Sequence, residues 1–342
     1  MTQHPTPWHQ VPATDAPALQ AHGLGLRNRG EWILRACDFR VPRGRIAALV
    51  GPNGDGKSSL LSVAAGLRAP TEGGMQVLGG RPGSHDILPR VGVLLQDPPL
   101  HAAFTVAETL RMGRELNPGW HEATARAVVA DAEVPLNAKV GRLSGGQRTC
   151  VALALALGKR PDLLLLDEPM ANLDPLRRHA MMAALMTTAA ERGTTVVMSS
   201  HILAELDLVC DYVLLLAHGR MLVADDVEFV QAAHTLVTHT LADRRARPMD
   251  DRPMPAAPDL PSHLHGHTVV EAQVTGRQVT AMIQLPTSLD GLGTARPPTL
   301  EEILLAYLRN PDAPALLAPD DGPARASGCD ARPQNGHGKA AS

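Results

Sequence analysis

The sequence predicts an α/β fold with a parallel sheet, and three observations lead to that class. The first is a set of short, continuous apolar runs with the length of buried strands, at 46–50, 91–95, 163–166 and 194–198. The second is that helical stretches alternate with these runs, as is typical of a parallel sheet covered by helices. The third is a glycine-rich loop that joins the first run to the helix after it. Functional side chains in such a fold are expected at the carboxyl ends of the strands.

The glycine-rich loop fits the pattern G-x-x-x-x-G-K-[ST] at every fixed position. Its residues are Gly51, Pro52, Asn53, Gly54, Asp55, Gly56, Lys57 and Ser58, followed by Ser59. Glycines let the backbone turn tightly, so that several N–H groups point at one spot, and the helix start adds partial positive charge. We expect Lys57 to bind the β- and γ-phosphates of a nucleotide and the Ser58 hydroxyl to ligate Mg²⁺. A glycine turn that binds nothing is the alternative, but the flanking strand and helix favour a P-loop NTPase.

The overall composition limits the classes of protein to which the chain can belong. It has 342 residues, enough for one large domain and a smaller one, and a net charge of −3, which does not favour nucleic-acid binding. No apolar run approaches the roughly 18–20 residues that cross a bilayer, and residues 1–20 lack a signal-peptide core. We therefore expect a cytoplasmic protein. The cysteines have neither metal nor disulfide spacing, and the second and third are expected to be buried; they are Cys37, Cys150, Cys210 and Cys329.

The first half of the chain is predicted to hold strands followed by helices. Residues 1–18 are polar and rich in Pro and Ala, so we expect a disordered tail before a main domain at 19–230. The expected elements are strands within 19–50, at 75–78 and at 91–95, a loop at Gln96, and helices within 105–132 broken at Pro118 and Gly119.

A second glycine-containing segment, Leu143 to Gln147, starts the helix that precedes the next buried strand. Ser144 has a side chain preferred at a helix N-cap, and the apolar run at 148–157 is too short to span a membrane. Two glycines in the first turn allow close approach to free backbone N–H groups, so the segment is also a candidate anion site. The alternative is a simple N-cap, which explains Ser144 but not the glycines.

Several of the predicted strands end in polar residues. Ligands of open α/β sheets bind at these carboxyl ends, so side chains there are candidate site residues. The set consists of Ser58, Gln96, Asp167, Glu168 and His201. Their shared position at strand ends is stronger support for a site than any one motif.

The chain from residue 231 onward is predicted to be an accessory region. Residues 231–312 are expected to hold a proline- and charge-rich linker at 247–261 and a small α+β element. That element has a hairpin within 268–286 and a helix that begins at the capping box of Thr299. Residues 313–342 are rich in Ala, Pro, Gly and Asp and are expected to be disordered.

Taken together, the motifs of residues 19–230 resemble the ATP-binding subunit of an ATP-binding cassette (ABC) transporter. Five motifs occur in the family's order. They are the glycine-rich loop at 51–58, from here on called the phosphate loop, Gln96, the segment 143–147, the pair Asp167 and Glu168, and His201. The resemblance implies an ABC-type nucleotide-binding domain with antiparallel β and α-helical subdomains, which binds ATP and Mg²⁺ and hydrolyses ATP. The single-cassette chain looks most like bacterial export-type systems.

The resemblance also implies a role for each site residue. Asp167 is expected to hold Mg²⁺ with Ser58 and Gln96, and Glu168 to polarise or deprotonate the attacking water. Gln96 is also expected to sense the γ-phosphate, and His201 to donate a hydrogen bond to it. A lone Gln or His at a strand end is more often a surface residue, but motif order and placement favour the functional interpretation here.

The resemblance further implies a dimer. In the family, the segment 143–147 of one subunit faces the phosphate loop of another, and two ATP molecules lie between them. We expect a homodimer or heterodimer that closes with ATP and opens after hydrolysis, with ATP contacts from Ser144, Gly145, Gly146 and Gln147. Asp174 belongs by resemblance to the loop that couples the two sites, although it is also placed to cap the helix that starts at Pro175.

Two residues depart from the family pattern. Asn28 stands where an aromatic residue usually stacks on adenine. Trp32 is a candidate substitute, although a Trp in a strand more often packs against its neighbours. Asp55 places a carboxylate inside the phosphate loop, where it is expected to repel the triphosphate unless it points outward.

The function implied by the resemblance is an ATPase that powers transport. It would work through a separate polytopic transmembrane subunit, docked near residues 98–106, and lie at the inner face of the cytoplasmic membrane. A soluble ABC-type ATPase that acts on nucleic acid or the ribosome is the alternative. Such proteins usually carry two cassettes or a long coiled coil, and this chain has neither pattern. A weakly active cassette is a third interpretation, motivated by Asn28 and Asp55.

Overall fold

The computed structural model describes residues 16–171, 173–200, 209–240, 266–275, 278–284 and 294–318. The strands in these ranges are β1 Leu19–Asn28, β2 Glu31–Val41, β3 Ile46–Val50, β4 Glu72–Val77, β5 Val91–Leu94, β6 Leu163–Leu166, β7 Thr195–Ser200, β8 Tyr212–Ala217, β9 Arg220–Asp226, β10 His234–Thr240, β11 Thr268–Thr275, β12 Gln278–Gln284, β13 Thr294–Arg296 and β14 Leu316–Leu317. The helices are α1 Lys57–Ala64, α2 Val106–Leu116, α3 Glu122–Asp131, α4 Gly145–Gly158, α5 Pro175–Arg192, α6 Val227–Ala232 and α7 Leu300–Arg309.

The central sheet has seven strands in the order β14-β9-β8-β3-β7-β6-β5. The five from β8 to β5 run parallel, β9 is antiparallel to β8, and β14 is parallel to β9. The parallel block confirms the predicted α/β class. It also places the carboxyl ends of β3, β7, β6 and β5 side by side along one edge of the sheet.

Both faces of the central sheet are covered, and this explains why its strands are continuous apolar runs. Leu164 and Leu166 of β6 pack into one core with α2 to α5, whereas Leu163 and Leu165 face a second core with α1 and the antiparallel strands. All four side chains are completely buried. Because consecutive side chains of a strand point to opposite faces, each strand contributes to both cores, at roughly 1.5–3 kcal/mol per buried leucine.

Strands β2, β1 and β4 form a separate antiparallel sheet, which confirms the predicted antiparallel subdomain. A two-residue turn at Arg29 and Gly30 joins β1 to β2, and both residues have positive φ, at 50° and 90°. Such turns match the right-handed twist of paired strands. The helical layer, α2 to α4, packs beside β5 at the opposite side of the cassette.

The accessory element is a four-stranded antiparallel sheet, in the order β11-β12-β10-β13, together with α7. The predicted capping box is confirmed, because Thr299 Oγ1 accepts the N–H of Glu302 at 3.2 Å and Glu302 Oε2 accepts the N–H of Thr299 at 2.9 Å. The buried Tyr307 hydroxyl lies 3.1 Å from Nε2 of His234 on β10. Apolar residues of α7 join the core that includes α2 to α5, so the element packs on the cassette.

The packed part of the chain extends beyond both ends predicted from the sequence. Ala16 and Ala18 are buried, so the packed chain begins before residue 19. Leu316 and Leu317 form β14 inside the range expected to be disordered, because the outer edge of β9 pairs with this apolar dipeptide. Residues 1–15 and 319–342 of the two predicted tails, and the predicted linker at 247–261, lie outside the described residues. No helix of the described ranges has the length and apolar character needed to cross a membrane.

Candidate nucleotide site

The phosphate loop leaves β3 at the centre of the parallel block and closes onto the start of α1. Gly51 has φ +152°, and a Cβ there would lie 1.9 Å from the carbonyl oxygen of Leu216 on β8. Gly56 is the N-cap of α1 with φ +105°, and a Cβ there would lie 2.9 Å from the Leu34 side chain. Only glycine fits at either end of the loop, because each backbone position is both left-handed and in close contact.

Lys57, the first residue of α1, curls back across the loop. Its side chain is almost buried, and Nζ donates to the carbonyl oxygens of Gly51 at 2.7 Å and Pro52 at 2.9 Å. Burial lowers the pKa of this ammonium, and nearby carboxylates oppose the change. Those carboxylates belong to Glu168, Asp55 and Asp167. The cation therefore lies inside the loop and within the field of the acidic residues that follow β6.

The loop and the start of α1 together are suited to bind the phosphates of a nucleoside triphosphate. The first-turn N–H groups of an α-helix have no acceptor within the helix, and its dipole favours an anion there. The Ser58 side chain is exposed at that start, and Asn53 and Gly54 are exposed at the loop tip. A buried ammonium and several backbone N–H groups are the hydrogen-bond donors that phosphate oxygens require, and a serine hydroxyl oxygen is a suitable ligand for a phosphate-bound Mg²⁺.

Asp167 and Glu168 follow β6 but have different backbone conformations. Asp167 is buried, and its N–H donates to the Leu94 carbonyl of β5 at 2.8 Å, so it still continues the sheet. Its Oδ1 accepts the Ser199 hydroxyl at 2.8 Å. Glu168 is half-buried and has left the sheet conformation, with φ +46°. The predicted carboxylate pair is thus present, with a sharp turn between its two members.

Gln96 lies beside Glu168. Its Nε2 is 3.5 Å from Glu168 Oε2, a long contact between the ends of the neighbouring strands β5 and β6. The structure therefore brings together four predicted site residues near one sheet edge, namely Lys57, Gln96, Asp167 and Glu168. His201 lies outside the described residues.

The segment 143–147 starts α4, as predicted. Ser144 Oγ accepts the N–H of Gln147 at 3.2 Å, and Gln147 Oε1 accepts the N–H of Ser144 at 3.1 Å. Gly145 and Gly146 form the first turn above this capping box. Helix α4 packs against β5, whereas the phosphate loop follows β3, three strand spacings or about 14 Å away in the sheet. The two helix starts therefore belong to different parts of the subunit.

Asp174 serves as the N-cap of α5. Its Oδ1 accepts the N–H of Arg177 at 3.0 Å, and its Oδ2 lies 3.4 Å from the Arg177 guanidinium. The capping interpretation of this residue is confirmed for the single subunit. Both carboxylate oxygens face the same helix start.

Asp55 is tied to a β-turn that sequence reasoning missed. Its Oδ2 accepts the backbone N–H of His218 at 2.7 Å. His218 and Gly219 have φ of 49° and 73°, as in the two-residue hairpin turn that joins β8 to β9. Because the partners are 163 residues apart, no local pattern could reveal the contact. Asp55 therefore anchors the phosphate loop to this hairpin.

Trp32 packs against its own sheet. The Arg27 guanidinium lies 3.9 Å from the centre of the Trp32 ring, and a Cβ at Gly25 would meet the ring at 2.9 Å. These contacts fit the packing interpretation of this residue. Asn28 pairs with Glu31 at the end of the same hairpin.

Comparisons with known proteins agree with the site. The "ABC transporter" family model matches residues 34–171. The aliphatic sulfonates import ATP-binding protein SsuB of Rhodopseudomonas palustris is 38% identical over 215 residues, which are 61% of this chain and 74% of that protein. The Nod factor export ATP-binding protein I of Ralstonia nicotianae is 33% identical over 234 residues, which are 66% and 70% of the two chains.

A solved structure titled "Structure of ATP binding subunit of ABC transporter" has a TM-score of 0.58 and 25% identity, over 63% of this chain and 92% of that one. From the sequence relatives and this geometry together, the chain belongs to the ABC transporter family, as an ATP-binding subunit with ATPase activity.

Proposed function

We propose that the chain hydrolyses ATP at the inner face of the cytoplasmic membrane to drive export of a substrate through a separate polytopic transmembrane subunit. The observation that carries the catalytic part is the clustering of Lys57, Gln96, Asp167 and Glu168 near one sheet edge. Export is the direction named for the Nod factor relative, which is 33% identical over 234 residues, whereas the sulfonate import relative is 38% identical over 215 residues. The resemblance of the single-cassette chain to export-type systems leads us to propose export. The chain is peripheral to the membrane in this proposal.

The phosphate loop binds the triphosphate of ATP in this proposal. Lys57 exchanges the carbonyl oxygens of Gly51 and Pro52 for the β- and γ-phosphates, and this needs only a short movement because the ammonium already lies within the loop. Backbone N–H groups of residues 54–59 complete the contacts. The charge of Asp55 opposes binding, while its bond to His218 holds the loop in place.

The acidic pair and Gln96 perform the hydrolysis. Ser58, Gln96 and Asp167 would hold Mg²⁺, which when bound neutralises phosphate charge. Glu168 accepts a proton from the attacking water, and Gln96 lies where it can help to orient that water. His201 donates a hydrogen bond to the γ-phosphate.

A second subunit completes each site. Ser144, Gly145, Gly146 and Gln147 of one subunit bind the γ-phosphate of the ATP held by the phosphate loop of the other. Two observations support this arrangement: α4 packs against β5, away from the strand that precedes the phosphate loop, and its start is exposed at Ser144. Asp174, at the neighbouring start of α5, couples the two sites.

Substitution of the exposed N-cap of α4 tests the proposed dimer. Ser144→Arg removes the cap and adds a cation, and we expect it to abolish hydrolysis while ATP binding by the isolated subunit is unchanged. The matched control is Thr299→Arg, which destroys the same kind of capping box at the exposed start of α7. Each change costs about 1 kcal/mol of cap stability, so lost capping alone affects both variants equally. Normal turnover by Ser144→Arg would exclude the two-subunit site.

Inside-out membrane vesicles test the direction of transport. They are prepared from cells that express the chain with its membrane subunit, so that the ATPase faces the medium. The probe is a ¹³C-labelled cytosolic extract of the same cells, and vesicle contents are measured by mass spectrometry. Export predicts ATP-dependent accumulation of a labelled compound, which is absent with Glu168→Gln. ATP-dependent loss of a compound preloaded into the vesicles would indicate import instead.

A further inference from the structure

Ser199 on β7 contacts both members of the acidic pair. Its Oγ donates to Asp167 Oδ1 at 2.8 Å and accepts the backbone N–H of Glu168 at 2.8 Å. Ser199 is completely buried, so water cannot replace either hydrogen bond. A hydroxyl can donate one hydrogen bond and accept another at the same time. Ser199 can therefore satisfy both the carboxylate oxygen of Asp167 and the backbone N–H of Glu168.

Glu168 needs a partner of this kind because its backbone is strained. Its φ of +46° lies in the left-handed region that residues other than glycine rarely occupy. In a regular strand, consecutive side chains point to opposite faces, and Asp167 and Glu168 would then diverge. The N–H of Asp167 still donates to the Leu94 carbonyl, as in the sheet. Glu168, the next residue, breaks the alternation because its backbone is left-handed. The turn thereby permits two adjacent carboxylates to serve one pocket.

We propose that Ser199 is a positioning residue for ATP hydrolysis, which acts by fixing the Asp167 carboxylate and holding Glu168 in its left-handed turn. The inference rests on the proposed roles of these two residues. Ser199 itself does not touch the nucleotide in this account. Its removal is therefore expected to slow the chemical step without weakening ATP binding.

The competing explanation is an ordinary buried hydroxyl that contributes only to stability, and β7 offers a matched control. Thr195 is 1% exposed, and its Oγ1 accepts the N–H of Gly44 at 2.9 Å. It lies four residues earlier in the same strand, about 13 Å from Ser199. Thr195→Val removes a buried acceptor from the same strand, as Ser199→Ala does, but at the end remote from the acidic pair.

The first experiment separates kcat from KM. For Ser199→Ala we expect kcat of ATP hydrolysis to fall roughly ten- to hundredfold, while KM and the affinity for ATP in EDTA change less than about threefold. Thr195→Val is expected to shift the urea midpoint about as much as Ser199→Ala does. Its kcat, however, should stay within about twofold of that of the unsubstituted protein. An equal kcat in the two variants, or a rise in KM alone, would overturn the proposal.

The second experiment measures the backbone turn without reference to activity. Glu168→Gly relieves the left-handed strain, and we expect it to raise the urea midpoint when Ser199 is present. With Ser199→Ala, residue 168 can relax, so the same substitution is expected to raise the midpoint much less. Equal rises in both backgrounds would show that Ser199 does not hold the turn.

A further variant keeps this proposal distinct from the proposed function. If Glu168→Gln retained full turnover, the catalytic role of Glu168 would be wrong. The urea measurements would still decide whether Ser199 holds the turn at residue 168.

Discussion

Gly51→Ala is predicted to displace the phosphate loop, and the structure gives the size of the displacement. The added Cβ would lie 1.9 Å from the Leu216 carbonyl oxygen, where real contacts of this type begin at 3.0 Å. The loop or the end of β8 must therefore move by about 1 Å. A misplacement of roughly 1 Å can cost about 100-fold in rate, and overpacking costs about 1–3 kcal/mol of stability.

Gly54→Ala is the matched control for this prediction. Gly54 also has positive φ, at +92°, but a Cβ there would meet no described atom within 4 Å. Both variants carry backbone strain, so the difference between them isolates the clash with Leu216. We expect kcat/KM for ATP about 100-fold lower in Gly51→Ala than in Gly54→Ala, measured on protein shown to be folded by circular dichroism. Equal kcat/KM values would refute the reasoning that this close approach positions the loop.

Three other predictions concern the departures from the family pattern and the accessory element. Asp55→Asn removes a charge near Lys57 but keeps an acceptor for the His218 N–H. Because it removes roughly 1 kcal/mol of repulsion between the carboxylate and the triphosphate, ATP affinity in EDTA should rise about 3- to 10-fold. Asp55→Ala also loses the acceptor and should tighten binding less. Trp32→Ala should leave ATP affinity within about twofold, because the ring packs on its own sheet. Tyr307→Phe should lower the free energy of unfolding by about 1–2 kcal/mol, because Nε2 of the buried His234 loses its hydrogen-bond partner, with ATP turnover unchanged.

Each of these predictions has an outcome that contradicts it. Weaker ATP binding by Asp55→Asn would mean that the charge itself supports the loop. A tenfold loss of affinity in Trp32→Ala would indicate that the ring stacks on adenine. A change in turnover by Tyr307→Phe would connect the accessory element to the catalytic site.

Local patterns were sufficient to predict most elements of the cassette. The apolar run 163–166 coincides with β6, and the capping residues Ser144 and Thr299 begin α4 and α7. These signals succeed because a buried strand and a capped helix start each depend on residues within a few positions of one another. The positions of Lys57 and Asp167 followed from the same local motifs.

Long-range pairing and backbone strain could not be predicted in the same way. The bond from Asp55 to His218 joins positions 163 residues apart, and that from Ser199 to Asp167 joins positions 32 apart. The left-handed φ of Glu168 has no compositional signal, because the motif specifies a carboxylate and not its backbone. Leu316 and Leu317 form a strand only because β9 offers an open edge.

The pairing of β14 with β9 has a practical consequence for work on shortened forms of this protein. Cutting the chain before residue 316 would uncover the backbone N–H and C=O groups of β9, including the Ala224 carbonyl that accepts the N–H of Ala318 at 2.9 Å. An open strand edge readily pairs with another copy. A trimmed cassette would therefore associate through a contact made by the cut, independently of nucleotide, and that association would obscure dimerisation measured by dilution.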